Sequence, residues 1–181
     1  TQKDVKLVDL PSTASTYAQA LTSKAVDAAP LGTATIQSTY LGPTKGGTAI
    51  DTGIRDDAAT LYCLSSAVEN KAQAAALAVY VKARTEALLW ENDNPEKWKV
   101  AYYEKNQGLT PAQADQAIKT GGDDAIPANW DAAIGRLQQT ADLLAKEQGN
   151  PKFDVKTIVD TRFAKIEAAA AGSRAVTGAA S

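Results

Sequence analysis

The sequence of 181 residues predicts a helix-rich α/β fold, and three features point there. Short β-compatible apolar runs stand at 5–10, 26–29 and 61–65, each followed by a helix-forming stretch. Beyond residue 70, apolar residues recur at three- and four-residue spacing over long segments. The hydrophobic fraction of 44% is heavy in alanine while aromatics make up only 6%, which suits close-packed helices.

In order, Val5-Lys-Leu-Val-Asp-Leu10 reads as a strand, stopped by Pro11, with Ser12 as a cap for a helix to Lys24. Val26 to Ala29 reads as a second strand, completing a βαβ unit. Gly32 and Thr33 follow, and Thr33 caps a helix running through Ile36 to Leu41 that ends at Gly42-Pro43. Residues 42–60 are a crossing loop with a short strand at Ala49-Ile50, and Leu61 to Ser65 reads as a buried strand.

From Asn70 the longest helix begins, with Ala72, Ala76, Tyr80, Ala83, Ala87 and Trp90 along one face. Asn94-Pro95 and Thr110-Pro111 each place a capping side chain before a proline at the first helical position, and Gly108 closes the first of these helices. After the break at Gly121-Gly122, Pro127 opens a helix lined by Trp130, Ile134, Leu137, Ala141 and Leu144 that stops at Gly149-Asn150-Pro151. Asp154 caps a last helix carrying Val155, Ile158, Val159, Phe163 and Ile166, and the alanine-rich tail from Ala168 buries little.

Nineteen basic against 21 acidic residues give a net charge of −2, and no run of like charge exceeds a pair. Nucleic-acid binding needs clustered Lys and Arg to displace counterions, so it is not expected. Lys71, Lys82, Arg84, Lys97, Lys99 and Lys105 alternate with Glu86, Glu91, Glu96 and Glu104 and read as solvated surface. Cys63 is the one cysteine, which excludes an intrachain disulfide, and its apolar neighbours read as a buried core thiol. No stretch reaches the roughly 18 consecutive apolar residues that span a bilayer. Methionine is absent altogether, so a processed, cleaved or truncated product is expected; and because two or three strands cannot make a covered parallel sheet, the chain is expected to be the later part of a larger protein or to have an earlier segment supplied separately.

Catalysis finds little support. Histidine is absent, which removes the Ser-His-Asp and Cys-His arrangements and the commonest metal ligand together. Asp56-Asp57 and Asp123-Asp124, with Asp51 nearby, lack the spacing of a calcium loop and read as surface turns. Gly42 to Thr48 lacks the Gly-Lys-Ser/Thr ending of a phosphate loop. No cofactor and no metal site is expected. Ligand capture has a rationale at two places. Backbone N–H groups at a helix start beside Leu31, Gly32, Thr33 and Thr35 favour an oxyanion. Thr60 and Tyr62, at a strand, place an aromatic ring where it can lean over a cleft or fill a core. Trp90, Trp98 and Trp130 fit helix-face packing.

The ordered set of segments resembles the extracytoplasmic solute-binding proteins of aliphatic sulfonate, taurine and nitrate import systems. The residues that carry the resemblance are Val5 to Pro11, Ala18 to Leu21, Lys24-Ala-Val-Asp-Ala28, Leu61 to Ser65, Ala72 to Pro95 with Trp90-Glu91-Asn92, Asn129 to Gly149, and Phe153 to Phe163. The resemblance implies a periplasmic-binding-protein-like (type II) fold of two α/β lobes. Residues 1–45 are then the end of the second lobe, and 46–181 the crossing segment and helical C-terminal part of the first.

The implied function is capture of a small anionic, sulfonate-like solute between the lobes for an ABC permease. The implied partners are the solute, the permease and the missing N-terminal segment, with membrane contact only through the permease or an upstream anchor. The implied location is extracytoplasmic. The alternative is an enzyme on the same scaffold, of desulfinase or pyrimidine-synthesis type, with its nucleophile in the absent segment. One departure bears on the ligand: relatives carry tryptophan and an aspartate-proline pair where this chain has Ala29, Gly32, Thr33 and Ala34, which implies a roomier pocket for a bulkier solute.

Overall fold

A computed structural model describes residues 4–10, 14–32, 37, 40–41, 47–50 and 60–176, the side chain of Ala14 excepted. Of these residues 63% are helical and 1% are in β-bridges, with no sheet. The expected α/β two-lobed, periplasmic-binding-protein-like fold is therefore corrected to a helical one. Residues 6–10, 26, 28–30, 49–50 and 60–64 are irregular or extended and pair with no strand among the described residues. The physical reason is that a helix satisfies its own backbone locally, whereas a strand gains its hydrogen bonds only from a neighbour. The expected stop and cap at Pro11 and Ser12, and the cap at Thr33, lie outside the described residues.

The chain forms two compact units: Thr1–Gly53 with Asn94–Gly122, and Ile54–Asp93 with Asp123–Ser181. In the first unit, α1 spans Ala14–Thr22, inside the helix read from the sequence. Further along, α4 (Pro95–Trp98) runs into a π-helix (Lys99–Asn106), and α5 (Pro111–Gly121) packs against that π-helix. Asn94 makes no side-chain cap bond at α4, contrary to expectation; its Oδ1 accepts from Lys97 Nζ at 2.9 Å.

Thr110 caps α5 in full. Its hydroxyl accepts from the Gln113 N–H at 3.4 Å while Gln113 Oε1 accepts from the Thr110 N–H at 3.0 Å, a reciprocal capping box ahead of Pro111. Ala114 and Ala117, three residues apart, are completely buried on the inner face. Gly108 takes a φ of +68°, which allows the turn between the π-helix and α5.

In the second unit, α2 (Ser65–Glu69) leads into α3 (Lys71–Asp93). Asn70 Oδ1 accepts from the N–H groups of Ala72 and Gln73 at 3.0 and 3.1 Å and so caps α3. α6 (Asp131–Gln148) follows, and Gly149, at φ +70°, ends it in the left-handed conformation. A 3-10 turn (Val155–Thr157), α7 (Ala164–Ala171) and a second 3-10 turn (Gly172–Arg174) complete the unit.

The core gathers Leu89 of α3, Ile126, and Ala171 of α7, with Leu88 and Ala175 against it. α3 packs on both α2 and α7.

Four expectations need correction here. Pro127 does not open a helix; it is buried in a parallel bridge with Val176, and α6 starts at Asp131. The last helix is not continuous from Val155 but breaks between the 3-10 turn and α7. The tail contributes to the core through Ala171 and Ala175, and Val176 exchanges backbone hydrogen bonds with Ile126 and Ala128 at 2.8 Å each. The face of α3 read as core is exposed, and Ala74, Leu77, Ala78, Val81, Thr85, Leu88 and Leu89 face inward instead. Alanine on all sides leaves the apolar periodicity ambiguous, and the bulk of Leu77, Val81, Leu88 and Leu89 decides the buried face.

Candidate functional site

The described residues among those expected to touch ligand fall in different units of the chain. Leu31 is half-buried and Gly32 exposed, both in the first unit, and the Leu31 carbonyl accepts from Gln37 Nε2 at 2.6 Å. Thr33 and Thr35 lie outside the described residues. Thr60 and Tyr62 belong to the second unit and are exposed.

The 61–64 segment precedes α2 with extended backbone, Leu64 at φ −70° and ψ 141°. Tyr62 is 90% exposed and Leu64 77%, and Cys63 is exposed, so the expectation of a buried core thiol is corrected. The side chains of Leu61, Tyr62, Cys63 and Leu64 are apolar or aromatic, and all four stand in water. Among the described residues, the Leu64 carbonyl accepts from the Ala67 N–H at 2.9 Å.

Around α3 the polar groups serve structure. The Asn92 side chain donates to the Asp124 carbonyl and accepts from the Asp124 N–H, each at 2.9 Å, clamping the helix end to the 123–126 stretch. Glu91 is held above the ordinary carboxyl range, mainly by partial burial and secondarily by the Asp124 charge. Asp160 is held below it by hydrogen bonds from the Arg162 side chain and backbone. Arg162 also donates to the Val68 carbonyl and so ties α2 to the loop before α7. Glu167 is almost fully buried and accepts from Trp130 Nε1 at 2.9 Å.

Sequence reading missed an aromatic group in the first unit. Trp98 and Tyr102 stack with centroids 4.5 Å apart, Tyr103 meets Tyr102 edge-on at 5.1 Å, and the buried Trp98 Nε1 has no hydrogen-bond partner among the described residues. The spacing i, i+4, i+5 was the available signal. Lys99, read as solvated surface, is only 14% exposed. It bonds Asp115 at 2.7 Å and Glu96 at 2.6 Å, which holds its ammonium well above the usual lysine range.

Among the described residues, no group of three His, Cys, Asp or Glu side chains is arranged to hold a metal ion, and no helix is long and apolar enough to cross a membrane. The arrangement therefore offers an exposed aromatic and aliphatic surface at 61–64 and a set of internally satisfied polar pairs. No protein-family model, no curated protein and no solved structure matches the chain.

Proposed function

We propose that the chain is the helical part of a solute-capture receptor that serves an ABC importer outside the cytoplasm, taking a small anionic, sulfonate-like ligand without chemistry. The observation that carries this reading is the bare apolar segment 61–64, with Tyr62 presenting its ring to solvent directly ahead of α2. Covering apolar surface is worth about 25 cal/mol per Å². A tyrosine adds a hydroxyl that can bond a polar headgroup while its ring takes apolar contact. The resemblance supports the reading further. It is carried by Ala72 to Pro95, with Trp90-Glu91-Asn92, and by Asn129 to Gly149. The partners in this reading are the solute, the permease and a further segment of the receptor.

The test is thermal unfolding of the natural full-length receptor against alkane and aryl sulfonates, nitrate and amines. One ligand class raises Tm, because a ligand at a hundred times its Kd stabilises the folded state by about 2.7 kcal/mol. Tyr62→Ala shrinks that rise while the unliganded protein stays within about 0.5 kcal/mol of wild type, as expected of an exposed position. Absence of a shift across every class sinks the reading.

A second reading, a helical interaction module with no small-molecule ligand, is favoured by the exposure of Val79 (70%) and Tyr80 (54%) on α3. It predicts concentration-dependent association in sedimentation experiments and no ligand-induced shift.

A further inference from the structure

We draw no further inference here: the strongest candidate, the exposed apolar face of α3 around Val79 and Tyr80, carries nothing because nothing in the structure shows what covers it.

Discussion

The Trp130 indole donates its N–H to Glu167, a carboxylate nearly withdrawn from water. A buried acceptor stripped of its donor costs about 1–3 kcal/mol. Trp130→Phe is therefore expected to destabilise the chain by that amount or more in urea unfolding, and adding Glu167→Gln to recover part of the loss. Glu91 works in the opposite sense. Its folded-state pKa lies above the ordinary value of 4.5, so the ionised form is disfavoured by folding and the penalty grows as pH rises through that value. Glu91→Gln should raise Tm at pH 7 and make no difference well below pH 4.5. A Tm gain that persists in acid would show another cause. Asp160 has the reverse sign: its depressed pKa gives stability that is present above 3.8 and lost as pH falls through the folded value.

Some helix starts and stops are legible in the sequence, although the side-chain cap at Asn94, the helix start at Pro127 and the continuous helix from Val155 that it predicts do not form. Asn70, Thr110-Pro111 and Gly149 act through side chains or backbone freedom within a few residues, so local chemistry suffices to place them. Thr110→Ala, which removes the capping box, should cost about 1 kcal/mol in chemical denaturation. Facing and pairing depend on distant partners and were not legible. On α3, Ala83 and Ala87 share periodicity with Tyr80 and Trp90, yet Thr85 and Leu89 are the buried residues, and Leu89 joins Ala171 of α7 in the core. Leu89→Ala should cost about 2–5 kcal/mol, whereas Ala83→Ser should stay within about 0.5 kcal/mol. Equal effects at the two positions would contradict the assignment of the buried face. At the other end of the chain, Val5 to Leu10 has the residues of a strand but no neighbour to pair with among the described residues. Its apolar character alone could not reveal that.

At the scale of the whole molecule, the candidate ligand residues were only partly legible. The sequence leaves Tyr62 over a cleft or in a core and the structure exposes it, while the same run assigns Cys63 to a core that does not contain it. The reason lies in 61–64 itself: an apolar run reads as buried wherever partners exist, and sequence periodicity does not say whether they do. The capture reading turns that bare segment into a measurable surface. Cys63 lies between Tyr62 and Leu64 and reports on it directly.

The decisive measurement is the rate at which a thiol reagent labels Cys63 in the natural full-length protein, with and without a saturating sulfonate from the thermal screen. The account predicts that the ligand that raises Tm also slows labelling at least about tenfold, equivalent to about 1.4 kcal/mol of protection. It predicts further that Tyr62→Ala abolishes the protection. Labelling that proceeds at the same rate with the stabilising ligand bound would contradict the placement of capture at residues 61–64.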